Sequence, residues 1–151
     1  MPLESVLIEM DNLTPAQRHK NMSHIQSKNT KTEILFRKLL WKHGIRYRVN
    51  YPQLPGKPDI VITRCHIAIF IDGDFWHGRD MTKLYKQIKS NRGYWLPKIQ
   101  KNKARDAEIN DQLSEMGWLI YRFWESDVKH NPEKFLKIIL DSVPYAKKDL
   151  P

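Results

Sequence analysis

Apolar positions change their spacing several times along this 151-residue chain, and each change marks a different element. Thr14-Pro15 reads as an N-cap followed by the first helical position, opening a basic segment to about Ser27 with Arg18, His19, Lys20 and His24. Residues 1–13 read as a flexible N-terminal arm. Thr30-Lys31-Thr32-Glu33 has capping-box spacing, and Ile34, Leu35, Leu39 and Leu40 recur at helical intervals until Gly44 stops the helix. Alternation follows in Ile45-Arg46-Tyr47-Arg48-Val49, which predicts a strand before the turn Leu54-Pro55-Gly56-Lys57-Pro58.

Residues 59–62 and 66–71 are rich in Ile and Val and short enough to be buried neighbouring strands. Residues 80–96 are polar, basic and aromatic and carry no usable period. From Pro97 to Met116, Ile99, Ile109, Leu113 and Met116 share one helix face, Gly117 suits its end, and Trp118 to Phe123 reads as a further core strand. Asn131-Pro132 opens a last helix through Phe135, Ile138 and Ile139. The order ααβββαβα predicts one α/β domain over residues 14–151, with a small mixed central sheet flanked by helices.

Charge narrows the partner. Lys and Arg number 26 against 17 Asp and Glu, a net charge of +9, so a polyanion is expected. Charge alone does not separate DNA, RNA and an anionic membrane. No apolar run approaches the roughly 20 residues of a spanning helix, and the start MPLESVLIEMDNL lacks a signal peptide's basic opening, so a cytoplasmic, nucleoid-associated protein is expected. Cys65 is the only cysteine, which excludes an internal disulfide and a zinc site built on several thiolates.

The most informative pattern is Pro58-Asp59, followed twelve residues later by Ile71-Asp72-Gly73-Asp74 at the end of an apolar strand. It puts carboxylates at the ends of adjacent strands. Phosphodiester hydrolysis calls for a hard divalent cation, and Mg²⁺ is usually held by one or two carboxylates. Asp59 and Asp72 suit that role, and both equally suit turns. His77 adds an imidazole able to move a proton near neutral pH, or a surface histidine in a loop. Phe75, Trp76 and Trp95 read as wedges displayed toward base pairs or as core anchors. Glu33 is explained by its capping box alone. Lys98, Lys101, Lys103 and Arg105 form a basic helix face, either merely solvated or turned to phosphates.

Four blocks in order carry a family resemblance: Arg18-His19-Lys20-Asn21-Met22-Ser23-His24-Ile25, Leu54-Pro55-Gly56-Lys57-Pro58-Asp59-Ile60-Val61, Phe75-Trp76-His77, and Trp95-Leu96-Pro97-Lys98-Ile99-Gln100-Lys101-Asn102 with Arg105-Asp106. They end in Gly117-Trp118 and Trp124-Glu125. Over roughly residues 14–127 the chain resembles the very short patch repair endonucleases, relatives of the PD-(D/E)xK nucleases. The resemblance implies a restriction-endonuclease-like fold and a monomer that nicks duplex DNA on the 5′ side of the thymine in a T:G mismatch, using Mg²⁺ or Mn²⁺. It implies that Asp59 and the backbone carbonyl of Ile71 hold metal, that His77 helps activate water, and that Glu33 lies near the site. Phe75, Trp76 and Trp95 match intercalating aromatics, Met22 a residue inserted from the opposite groove, and Lys98 and Asn102 contacts to the mismatched bases.

Two departures alter that picture. Where the family has His-Gly-Cys before Phe-Trp-His, this chain has Asp72-Gly73-Asp74. Asp72 thus replaces an expected histidine and becomes a candidate metal ligand. The family's structural zinc positions read Asp74, Arg79, Met81 and Ser126, so no zinc is expected. Two rivals stay open: a restriction-associated nuclease of the same fold with another target, and a DNA-binding module without catalysis.

Overall fold

The computed structural model describes residues 29–88 and 90–146. The arm over 1–13, the basic helix over 14–27 and Met22 lie outside the described residues. Helix α1 (Lys31–Lys42) begins where Thr30 Oγ1 accepts from the Glu33 N–H at 3.2 Å. The reciprocal half of the capping box is displaced by one residue, because Glu33 Oε2 accepts from the Asn29 N–H at 2.6 Å.

The helix closes in a Schellman motif, with Ile45 N–H donating to Leu40 O and Gly44 N–H to Trp41 O, both at 3.0 Å. Gly44 supplies the left-handed residue at φ +84°. That cap takes up Ile45, so the strand expected over 45–49 shrinks to β1 (Arg48–Val49). The buried face also differs from the expected one. Thr32, Glu33, Phe36 and Leu40 are buried, while Ile34 and Leu35 stay 39% and 43% exposed. Phe36 sets this rotation by packing edge-on against Phe123 at 6.2 Å, and the same turn carries Glu33 inward.

Strands β2 (Ile60–Ile62) and β3 (Ile67–Asp72) are buried at every position, as their unbroken Ile and Val content requires. A single 3-10 turn, Thr63–Cys65, joins them, and they pair antiparallel with Ile60 opposite Ile69. Strand β4 (Leu119–Trp124) runs parallel to β3 and brings Trp124 opposite Asp72. The four strands lie in chain order in one mixed sheet, β1 and β2 antiparallel as well, which is the small mixed sheet expected of a restriction-endonuclease-like domain.

Between β3 and β4 the chain forms two helices, α2 (Met81–Gln87) and α3 (Arg92–Glu115). Helix α2 falls in the stretch without a usable period; Asp80 caps it by accepting from the Lys83 N–H at 3.0 Å. Helix α3 starts upstream of the expected Pro97, because Tyr94 and Trp95 N–H groups both donate to Asn91 O at 3.0 Å. Pro97 therefore sits inside the helix. After β4 come the short helix α4 (Glu125–His130), not expected from spacing, and α5 (Pro132–Ala146).

One sheet face packs Ile60, Ile62, Ile69 and Phe123 against Phe36, Leu40, Val128, Leu136 and Ile139 of helices α1, α4 and α5. The other packs Val61, Ala68 and Phe70 against Leu54 and Leu113. A third cluster gathers Phe75, Leu84, Ile88, Trp95 and Ile99 beside the sheet end at Asp72. None of the described helices is long and apolar enough to cross a membrane.

Candidate active site

Asp59 directly precedes β2, where the strand has stopped pairing with β3 through its backbone. Its Oδ2 takes over that role by accepting from the Ile71 N–H at 2.7 Å. The Ile71 peptide and the Asp59 carboxylate are thereby held side by side at one end of the sheet. Burial, the Glu33 carboxylate and the Asp72 carboxylate push Asp59 up to about 7, against the opposing pull of the Ile71 N–H.

Glu33 comes to this end from α1 and is 1% exposed. Burial raises its pKa, while the Asn29 N–H and Arg37, whose Nη2 lies 3.4 Å from Oε2, oppose the shift. Glu125, the first residue of α4, joins the same edge with its pKa raised by burial and by Asp74, although Thr32 and Thr30 hydroxyls hydrogen-bond it. Carboxylates with pKa values raised in company are groups that a cation would relieve.

Asp72 ends β3, and Arg122 Nη1 donates to both its oxygens at 3.1 Å. Burial raises its pKa in spite of His77 and Arg122. His77 follows on a tight loop: its N–H donates to Gly73 O at 3.1 Å, and Gly78 turns the chain at φ +61°. A side chain at Gly78 would meet Ile99 Cγ2 at 2.7 Å and Met81 Sδ at 2.8 Å, so the turn after His77 requires glycine. His77 Nδ1 lies 2.5 Å from Asp106 Oδ2, and Nε2 lies 3.8 Å from Asp72 Oδ1. Burial alone would lower the imidazole pKa, but the Asp106 hydrogen bond and the Asp72 and Asp106 charges outweigh it and raise it.

Arg122 ties the cluster together. Besides Asp72 it reaches Asp106 Oδ1 at 3.5 Å and Asn110 Oδ1 at 2.6 Å, with its guanidinium 4.0 Å from the Phe70 ring centroid. Ligand atoms of Asp72, His77 and Asp106 lie within 4.8 Å of one another, an acidic and histidine cluster of metal-binding type. The guanidinium already spans Asp72 and Asp106, however, and a cation in that gap would be repelled. The donor set around Asp59 fits a hard cation better: oxygen donors crowd together, and Asp59 Oδ1 takes no hydrogen bond among the described residues. Asp72, a candidate metal ligand from sequence, belongs to the cluster with His77 and Asp106 and is paired there with Arg122.

The candidate DNA contacts form one adjoining patch. Phe75 is 1% and Trp95 4% exposed, their ring centroids 5.9 Å apart, so both are core anchors here. Trp76 is half-buried at 5.2 Å from Phe75 and 6.3 Å from Trp95, and Lys98 Nζ lies 5.4 Å from its ring centroid. Asn102 Nδ2 donates to Trp76 O at 3.0 Å, which fastens α3 to the His77 loop. Tyr94, 55% exposed, extends the patch against Trp95.

Glu33, Asp59, Ile71, Asp72 and His77 thus meet at one sheet end, and Phe75, Trp76, Trp95, Lys98 and Asn102 meet beside them. From sequence, Asp106, Arg122, Glu125 and Tyr94 carry no assigned site role, although Asp106 and Glu125 fall within the blocks of the family resemblance. Asp106 carried a usable signal, since Lys98, Asn102 and Asp106 recur every four residues along one helix face. Arg122 carried another, as a charge inside an apolar core strand.

Residues 10–83 match the family described as DNA mismatch endonuclease Vsr. Type II nicking enzyme V.HpaIIP of Haemophilus parainfluenzae is 50% identical over 127 residues, covering 83% of this chain and 90% of that protein. Type II nicking enzyme V.NmeDIP of Neisseria meningitidis serogroup C is 44% identical over 81% of this chain and 82% of its own length. DNA mismatch endonuclease Vsr of Escherichia coli (strain K12) is 37% identical over 73% of this chain and 70% of its own.

Proposed function

Because the chain belongs to the Vsr family of DNA endonucleases, we propose that it uses Mg²⁺ or Mn²⁺ to nick duplex DNA on the 5′ side of the thymine in a T:G mismatch. The observation that carries the reading is the meeting of Glu33 and Asp59 with the His77–Asp106 pair at one sheet end, next to an aromatic and basic patch. This arrangement favours a catalyst over a DNA-binding module, which needs neither a carboxylate held near pKa 7 nor an oriented imidazole. The same arrangement supports reading the chain as a relative of the PD-(D/E)xK nucleases.

Asp59 and the Ile71 carbonyl would hold the metal, with Glu33 beside them. When bound, the cation supplies positive charge against the scissile phosphate and makes water a better nucleophile. Asp106 accepts from His77 Nδ1, which leaves Nε2 to take the proton from the attacking water. Asp72, paired with Arg122, lies 3.8 Å from Nε2 and helps to hold the imidazole in place. Lys98, Lys101 and Arg105 of α3 would neutralise DNA phosphates, and Asn102, half-buried and bonded to Trp76 O, would read bases stacked against that ring. Within this patch Trp76 and Tyr94 have ring surface exposed for stacking on opened base pairs.

The reading is tested with Asp59→Asn on an end-labelled mismatched duplex. The unmodified protein should nick with Mg²⁺ and stop with EDTA, and the variant should fold without nicking. Nicking in EDTA, or by the variant at the unmodified rate, contradicts it.

A further inference from the structure

The loop that carries His77 is fastened near both its ends by a network of hydrogen bonds and charges. Arg79 Nη1 donates to Asp74 Oδ2 at 3.3 Å, Ser126 Oγ at 3.0 Å and Asp127 Oδ1 at 2.9 Å. Ser126 closes the ring, its Oγ donating to Asp74 Oδ2 at 2.6 Å and its N–H to Asp74 Oδ1 at 3.2 Å. Asp74 and Arg79 bracket the segment 75–78, and Ser126 and Asp127 lie in the first turn of α4. The network therefore joins segments about fifty positions apart at the edge of the candidate active site.

Asp74, Arg79 and Ser126 occupy three of the four positions at which the family resemblance places zinc ligands. The residues do not fit zinc. An arginine is a permanent cation with no lone pair to donate, and it stands where the oxygen acceptors converge. Serine hydroxyl and methionine thioether are not the thiolate, imidazole or carboxylate ligands that zinc takes. Met81, at the fourth position, packs instead with the Phe75 and Trp95 cluster.

We propose that Arg79 is a positioning residue whose guanidinium takes the structural place of a metal ion, clamping the His77 loop to α4 without zinc. Phe75 anchors the middle of the loop in the core, whereas Asp74 and Arg79 hold its flanks. The Arg79 N–H also donates to Asp74 O at 3.1 Å, so backbone and side chain close the same turn. The charged side chains of Asp74, Arg79 and Asp127 are 28–40% exposed, which makes the clamp sensitive to salt, as a buried thiolate cage is not. The expected consequence is local order around His77 with little change in global stability. Its effect on rate rests on the function proposed above; the clamp itself does not.

The experiment uses the full chain and the variants Arg79→Gln and Arg79→Lys. Metal analysis should find no stoichiometric zinc, and a zinc chelator should leave hydrogen exchange over residues 74–79 unchanged. Arg79→Gln should speed exchange there about tenfold while leaving the core strands protected. High salt should speed the unmodified loop in the same way, and Arg79→Lys should recover part of the protection. On mismatched duplex, Arg79→Gln should lower kcat about tenfold with KM within about twofold, since a small misplacement of a catalytic group is costly, and Arg79→Lys should recover part of the rate. Stoichiometric zinc, chelator-induced loosening, or unmodified exchange in Arg79→Gln overturns the clamp. Faster exchange with an unmodified kcat overturns the positioning role. If the unmodified protein does not nick, the function fails, and metal analysis and exchange still decide the clamp.

Discussion

His77 Nδ1 and Asp106 Oδ2 lie 2.5 Å apart, the imidazole on the loop after β3 and the carboxylate on helix α3. The pair fixes which ring nitrogen can act as a base, because an acceptor at Nδ1 leaves Nε2 as the basic nitrogen. Asp106→Asn should lower kcat about 10²-fold with KM little changed. Asp106 also raises the His77 pKa, so its loss should shift the acid limb of the kcat profile to lower pH. A lowered kcat with an unshifted limb would contradict the pairing.

Asp59 should make the metal-free protein less stable as pH rises. Its folded pKa of about 7 exceeds the ordinary 3.8, so the folded state binds the proton more tightly than the unfolded chain does. The resulting stabilisation is present below pH 4 and is lost as pH rises through 7. Asp59→Asn should therefore stabilise the metal-free chain at pH 8, by at most about 4 kcal/mol, with the gap closing toward pH 4. Mg²⁺ should stabilise the unmodified chain and not the variant. Urea denaturation at both pH values checks this, and a gap that widens at low pH would contradict it.

Arg122 and Asp72 share a buried pair, their side chains 17% and 8% exposed. Arg122→Met should cost about 3 kcal/mol, because it strands a buried carboxylate. Adding Asp72→Asn should recover much of that loss. Additive losses in the double variant, measured by denaturant midpoint, would show that the two residues do not act as a pair.

Trp76 is half-buried under Lys98, whereas Phe75 and Trp95 are in the core. Trp76→Ala should weaken binding to a mismatched duplex about tenfold and affect single strands less. Equal losses on both would remove the role of this ring in opening the duplex.

The sheet was legible in sequence wherever side chains alone decide it. The Ile and Val runs of β2 and β3 are buried on both faces, and the structure keeps them within a residue or so of their expected ends. Carboxylates at Asp59 and Asp72 likewise fell where strands end. Tertiary contacts decided the rest. Phe36 meeting Phe123 rotates α1 and buries Glu33 in place of Ile34. Helix α2 depends on a single cap at Asp80, and α4 on Asp74 reaching across from another segment, which spacing does not reveal. The pairs His77 with Asp106 and Asp72 with Arg122 join residues 29 and 50 positions apart: local spacing marks Asp106 and Arg122 as unusual, but not the partner that each takes.

The central claim is metal-dependent nicking directed by a T:G mismatch. Its most direct test is an end-labelled duplex bearing one T:G mismatch beside its T:A match, each with Mg²⁺ and with EDTA. The account predicts a nick only in the T:G duplex, only with Mg²⁺, immediately 5′ of the thymine. Equal cutting of the matched duplex would contradict mismatch direction, and cutting of neither would contradict catalysis.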